Sequence, residues 1–407
     1  MSSAEAAAPA DTRTARMRAT GLTIALLAAL SALGQFATNM YLPALPAIAT
    51  EFGSGGLLAQ LTLTAYLAAF AVAQLVYGPI SDRLGRKPVL VFGIIVFTVG
   101  SALCVAAPDM ATLIAGRVVQ ASGAAGTLVA ARAVVRDCFD GPAMQRVMAL
   151  ISMFFALVPG LAPLTGGLMQ EVAHWRWIFG TTVLAGVVVF AWMILVLPET
   201  IRFRQPRLDL GGLLRGYAIV LGSSVFRRYA LANLCVFASM FAFFGGSPAL
   251  FIEVLGVSAT EYGFYPPLAS LGFIIGGAIV SRMAGRITAA RICTVGLAIM
   301  LAGALLMLVL PAADVIHKHT YTVSIVIIVS GMGVFLPTAI ASGLQSFPDC
   351  AGTASAMIGF LQMLGAAIGS VLVGALAPAA PLLVVPAVMF GAGLLARVIF
   401  AVEGRRG

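Results

Sequence analysis

Residues Gly78–Leu90 read GPISDRLGRKPVL, and their reading decides the fold. Four charges, Asp82, Arg83, Arg86 and Lys87, stand between two long apolar runs in a chain where only 10% of residues are charged. Gly78 and Gly85 fall where two helices would have to turn tightly, and polar groups so close to hydrocarbon are expensive unless they do something. A fainter copy, SRMAGRITAARI, runs from Ser281 to Ile292. Its Ser281, Gly285 and Arg286 each follow Ser81, Gly85 and Arg86 by two hundred positions. A loop that recurs once per half, between apolar spans, marks a duplicated membrane protein.

Outward from that loop, composition agrees. The 407 residues are 61% hydrophobic with a mean hydropathy of +1.04, whereas soluble domains are about half apolar and a quarter charged. A spanning helix takes about 20 apolar residues. The chain therefore accommodates spans at 22–48, 58–80, 88–107, 110–132, 146–170, 177–197, 228–252, 261–283, 290–310, 322–345, 354–377 and 382–401. The expected organisation is a disordered tail (1–21), a six-helix bundle (22–197), a basic linker (198–227), a second six-helix bundle (228–401) and a short tail (402–407). The fold class is an all-α polytopic membrane protein of twelve transmembrane helices.

The net charge of +9 would suggest nucleic acid in a soluble protein, but its distribution says otherwise. Nearly all of the 24 Lys and Arg fall on one side of these spans; the other side holds only Arg176 and Lys318, and Arg117 lies inside a span. The positive-inside rule then places both termini in the cytoplasm, with lipid and no nucleic acid as the chain's surroundings. Arg13, Arg16 and Arg18 imitate a signal peptide, but the apolar run continues past Pro43, so an uncleaved first span is expected. Cys104, Cys138, Cys235, Cys293 and Cys350 are scattered without a CxxC, and His174, His317 and His319 fall in loops, so no disulfide, metal or cofactor is expected.

Polar residues inside the spans carry the functional reading. Ser31, Gln35, Thr38 and Asn39 share one face of the first span, with Pro43 and Pro46 kinking its end. Thr62, Tyr66, Gln74 and Tyr77 repeat the pattern in the second, where interhelical hydrogen bonding alone is the alternative. Arg117 lies about 10 Å deep in the fourth span at 1.5 Å per residue. Burying it costs about 2.5–3.5 kcal/mol, so it needs a partner or a watery cavity. Gln120 shares its face, Asn39 lies at a similar depth, and Gly123, Ala124 and Gly126 permit close packing. The fifth span contains Pro159, Gly160, Pro163, Gly166 and Gly167, a kinked and closely approached stretch. Phe237, Met240, Phe241 and Phe244 line one face of the seventh, and Gln362 is the strongly polar mid-span residue of the eleventh. Acidic residues, including Glu51, Glu171, Glu253, Glu261 and Asp314, fall only in loops or at span ends.

Together these residues resemble the major facilitator superfamily and, within it, the Bcr/CflA group of twelve-helix drug:proton antiporters. GPISDRLGRKPVL matches the superfamily's loop between helices 2 and 3. LIAGRVVQASGAA is similar to its helix 4 motif, with Ala121 where Gly is common, and APLTGG to its helix 5 antiporter motif, with Ala162 in place of Gly. MYLPALP, LPET and FPDCAGTASA resemble the subgroup. The resemblance implies alternating access by two rocking bundles, acting as a monomer on a small-molecule substrate and protons. It implies a conformational latch of Gly78, Asp82, Arg83, Gly85, Arg86 and Asp137, in which Asp82 faces the start of helix 11 near Gly352 and Thr353 and Arg86 pairs with Asp137.

One departure matters. The subgroup reads DMYLPALP where this chain reads NMYLPALP, and Asn39 cannot take up and release a proton. Coupling through a boundary acid such as Glu253 or Glu261, an uncoupled carrier in which Arg117 binds an anionic substrate, and an introduced Asn that locks one state all remain open. The expected function is export of drugs or amphipathic metabolites of the bicyclomycin, chloramphenicol or sulfonamide kind. Gln35, Asn39, Arg117, Gln120 and Gln362 would form the polar end of the cavity, with Phe237, Phe241 and Phe244 as its apolar wall. The alternative is an uncoupled facilitator or importer of a sugar, amino acid or organic acid. An enzyme would need a nucleophile–base set or metal cluster within the spans, which the sequence lacks.

Overall fold

The computed structural model of the chain describes residues 21–139, 141–200, 210–283, 285–311, 316–345, 347, 351–377 and 380–404. The expected tail before Gly21, much of the linker, Asp314, Cys350 and the last three residues lie outside the described residues. The first half runs α1 (Gly21–Asn39), α2 (Leu45–Glu51), α3 (Gly56–Leu84), α4 (Arg86–Val105), α5 (Met110–Cys138), α6 (Gly141–Val172) and α7 (Arg176–Val196). The second runs α8 (Leu210–Gly222), α9 (Ser224–Pro248), α10 (Ala259–Tyr262), α11 (Tyr265–Met283), α12 (Ala289–Val309), α13 (Lys318–Gln345), α14 (Ala351–Leu376) and α15 (Pro381–Glu403). Among the described residues eleven spans are long and apolar enough to cross a membrane, counting α1 with α2 and α10 with α11 as one each. The 32-residue α6 lies where the fifth span is expected, at 146–170.

The first span breaks where Pro43 sits, through a short 3-10 turn at Leu42–Ala44, because proline removes an amide donor and cannot continue the ladder. The second and fourth spans outrun their expected ends, reaching Leu84 and Cys138. The seventh ends in a π-helical turn, Ala249–Val254, just beyond Pro248. The expected linker contains a helix of its own, α8, whose Tyr217 and Val220 pack on Phe226, Ala354 and Met357.

Lipid offers no hydrophobic drive between helices, so small residues bring backbones together. A Cβ on Gly123 would lie 2.2 Å from the Phe97 amide nitrogen, which locks α5 onto α4. In the second half a Cβ on Gly331 would lie 2.4 Å from the Met300 nitrogen, locking α13 onto α12 in the equivalent place. The duplication is also written in the loops. Gly85 and Gly285 both take positive φ, +109° and +77°, which a side chain would strain. Beyond Gly85, the Glu199 carboxylate accepts hydrogen bonds from the Arg86 and Lys87 amides (3.0 and 3.3 Å), satisfying two orphan donors at the start of α4.

Candidate substrate cavity

The cavity lies between the halves. α5 and α9 are the most buried spans and α7 and α15 among the least, so the former stand at the centre of the molecule and the latter at its rim. A cavity of about 60 Å³ opens between α1, α3 and α5 on one side and α9 and α14 on the other. Its polar groups are Gln35, Tyr66, Gln74, Arg132 and Gln362, and its apolar wall is Leu67, Phe70, Leu128, Phe237 and Met363. Gln362 donates to Asn233 Oδ1 (3.3 Å), whereas the buried Gln74 Oε1 has no partner among the described residues.

Of the residues expected to bind substrate, Gln35, Phe237 and Gln362 line this cavity. Asn39, Arg117 and Gln120 do not: each is at most 1% exposed, packed within the first half. Arg117 is caged by aromatics, its guanidinium carbon 4.2 Å from the Tyr66 ring centre and 4.7 Å from that of Tyr41. It donates to Gln120 Oε1 at 2.6 Å, and Gln120 in turn donates to Ser101 Oγ at 2.8 Å. Two desolvated cation–π contacts at about 2 kcal/mol each and a charge-assisted hydrogen bond of about 1.5–3 kcal/mol offset the insertion cost and the unpaired Nε and Nη2. Asn39 donates to the Gln35 carbonyl (2.8 Å) and leaves its own Oδ1 unpartnered. Tyr66 links this cage to the cavity, since its ring meets Arg117 and it also lines the cavity.

Phe241 and Phe244, expected on the apolar wall, are buried at 1% and 8% exposure, stacked in series behind Phe237. The helix explains this. At 1.5 Å per residue they lie about 6 and 10 Å beyond Phe237, where Gly245 and Gly246 bring α9 hard against Gln60, Val373 and Val385. The residue that the sequence reading missed is Arg132. It resembled a topology charge at the basic end of a span, but α5 continues six residues further, to Cys138. The signal was its i+4 spacing from Leu128, which puts both on the cavity face.

The halves are tied together away from the basic face. Gln60 Nε2 donates to Ser370 Oγ (2.7 Å), Thr64 Oγ1 lies 2.9 Å from the same oxygen, and the Thr260 amide donates to Glu171 (3.1 Å). The helix 5 motif builds the second of these seams. A Cβ on Gly167 would lie 2.3 Å from the Ala259 carbonyl oxygen, one on Gly166 would lie 1.8 Å from that of Met40, and Gly160 faces Ser270. Pro159 and Pro163 sit within α6 without ending it, and the Pro163 carbonyl meets Gly263.

At the basic face, Arg86 Nε bonds Asp137 Oδ2 (2.7 Å) and Arg86 Nη1 bonds Asp82 Oδ1 (2.5 Å), while Arg83 is exposed. Asp82 therefore turns to Arg86 and not to helix 11. The atom nearest a Cβ on Gly352 is Arg136 Nη1 at 3.4 Å, Thr353 packs near Gly216, and Gly78 faces open space. Among the described residues Asp82 bonds only within its own half, and the halves meet at this face through Arg136 and Gly352. A second cavity, about 460 Å³, lies beyond the Gln60 seam and includes Glu253. Glu261 is held by Lys318 (2.5 Å).

Comparison with known proteins follows this geometry. The Major Facilitator Superfamily model matches residues 24–370. The MFS-type transporter YdgK of Bacillus subtilis is 32% identical over 86% of this chain and 87% of its own length. Multidrug resistance protein D of Escherichia coli is 32% identical over 84% and 86%, and the bicyclomycin resistance protein homolog of Haemophilus influenzae 28% over 87% and 89%. Among solved structures, a bacterial homolog of the human lysosomal transporter Spinster, inward-facing and unoccupied, superposes with a TM-score of 0.74 at 15% identity, covering 94% of this chain and 95% of that one. Two bundles joined across a central cavity, the duplicated charged loop and a family match over most of the sequence lead to one conclusion: this chain belongs to the Major Facilitator Superfamily.

Proposed function

We propose that this transporter exports small amphipathic molecules, of the kind that antibiotics represent, across a bacterial inner membrane. The observation that carries the reading is the chemistry of the cavity's lining, since at about 60 Å³ the cavity must widen to admit a drug-sized molecule. Tyr66, Phe70, Phe237 and Met363 offer an apolar, adaptable wall, and a few amides and one cation offer polar anchorage, a lining suited to amphipathic cargo and poor for a sugar. Relatives named for multidrug and bicyclomycin resistance support it. With the basic face in the cytoplasm, the cavity would load from inside while Gln60, Thr64 and Ser370 seal the outside. Asp82, Arg86 and Asp137 would engage the opposite bundle when the molecule, acting as a monomer, turns outward.

Proton-coupled antiport is the first reading of the energy source. A specific observation favours uncoupled exchange as the second: among the described residues no carboxylate lines the central cavity, and Glu253 lies across the seam from it. The test is chloramphenicol uptake into inside-out membrane vesicles, with and without an imposed pH gradient, for this chain and for Asn39→Asp. Gradient-dependent uptake by the unchanged chain supports antiport. Gradient-independent uptake that becomes dependent in Asn39→Asp assigns coupling to position 39. No uptake of chloramphenicol, bicyclomycin or sulfonamides by either form contradicts the exporter reading.

A further inference from the structure

Among the described residues that line the central cavity one is ionic, Arg132, and it is a cation. Arg132 is exposed to the cavity, about 9 Å from the end of α5 at 1.5 Å per residue. It makes no hydrogen bond or ion pair among the described residues. Arg86 and Asp137 satisfy each other one turn away, so the nearby carboxylate is already engaged. Arg136, one helical turn nearer the basic face, is also exposed, with its guanidinium beside Gly352 at the start of the 26-residue α14. Arg132 and Arg136 thus place two positive charges one turn apart on α5, and a concentration of one sign of charge attracts ions of the other. Gln74, 6% exposed with an unpartnered Oε1, faces the same space, and its amide also carries two N–H donors. Gln35 and Gln362 complete the rim.

We infer that the preferred substrate is an amphipathic organic monoanion, with its carboxylate or equivalent acid bound by Arg132 and the glutamines and its aromatic body against Tyr66, Phe70 and Phe237. A guanidinium presents a planar pair of donors that matches a carboxylate, and an anion here neutralises a charge that hydrocarbon otherwise disfavours. A cationic substrate would meet repulsion with no compensating acid in the lining. The inference rests on the exporter reading only in placing the substrate in this cavity.

The test uses three probes with one aromatic body: dansylglycine, an anion; dansylglycinamide, neutral; and dansylcadaverine, a cation. They are titrated by fluorescence into the purified full chain in phosphatidylcholine nanodiscs, where no anionic headgroup competes. The expected order is anion first, by about ten-fold over the amide, and cation last, in line with one charge-assisted pair. Arg132→Gln is expected to collapse the anion-to-amide ratio by about ten-fold, and Arg132→Lys to give an intermediate ratio, since it keeps the charge and loses the paired planar donors. Equal binding of anion and amide by the unchanged chain, tighter binding of the cation, or an equal loss of both ligands in Arg132→Gln would overturn the inference. Binding of the amide or the cation without the anion would do so while leaving the exporter reading in place.

Discussion

Two arginines on one helix have opposite fates. Arg117 is sealed in a cage of Tyr41, Tyr66 and Gln120, whereas Arg132 stands in the open cavity. The cage needs a flat guanidinium, because a lysine ammonium cannot spread over two rings and bond Gln120 at once. Arg117→Lys should therefore lower transport by about ten-fold or more, close to the effect of Arg117→Ala, as vesicle uptake would measure. Full transport by the lysine variant would show that only the charge matters. Arg117 was legible in the sequence because a cation deep in an apolar span is costly wherever it points. That Tyr41 and Tyr66 meet it was not, since they come from other helices. Asn39 and Gln120 were read as cavity residues for the same reason: a polar residue in a span faces either a cavity or a neighbour, and spacing alone does not separate the two.

Helices in this molecule meet where glycines remove the side chain. Gly166 packs on the Met40 backbone, and an added methyl there has nowhere to go. Gly166→Ala should destabilise the protein by about 1–3 kcal/mol, the range for overpacking, and lower its thermal midpoint by several degrees. Gly277, which has nothing within 4 Å of its Cβ position, is the control. Gly277→Ala should leave the midpoint level or raise it, since alanine favours helix by about 1 kcal/mol. Equal shifts at the two sites would remove the close-packing explanation. Glu199 acts at the same scale, and Glu199→Gln should loosen the start of α4, seen as faster amide exchange at Arg86 and Lys87. The spans and the Pro43 break were legible from hydropathy and proline. α8 was not, because the basic, mixed composition of residues 198–227 reads as a connector until α14 supplies an apolar partner.

The proposed alternating access belongs to the whole molecule. The repeat at Ser81 and Ser281 made a duplicated architecture legible, but alternating access requires one sequence to encode two arrangements, so spacing does not tell which face is closed. Here the bundles meet through Gln60, Thr64 and Ser370 and through Glu171 and Thr260, while Asp82 bonds Arg86 in its own bundle. If Asp82 engages the start of α14 only when the molecule turns, Asp82→Asn should cut transport while membrane levels hold, by quantitative blotting of the same vesicles. Unreduced transport would remove that latch.

The most direct test of rocking bundles is to tie the seam shut. Thr64 Oγ1 and Ser370 Oγ lie 2.9 Å apart, so a Thr64→Cys, Ser370→Cys pair is placed to form a disulfide. In a background with the five native cysteines replaced by alanine, substrate uptake into vesicles would be measured before oxidation, after it, and after reduction. Oxidation should abolish transport and reduction should restore it, because the far face can no longer open. Transport that continues at its full rate with the disulfide formed would contradict alternating access through this seam.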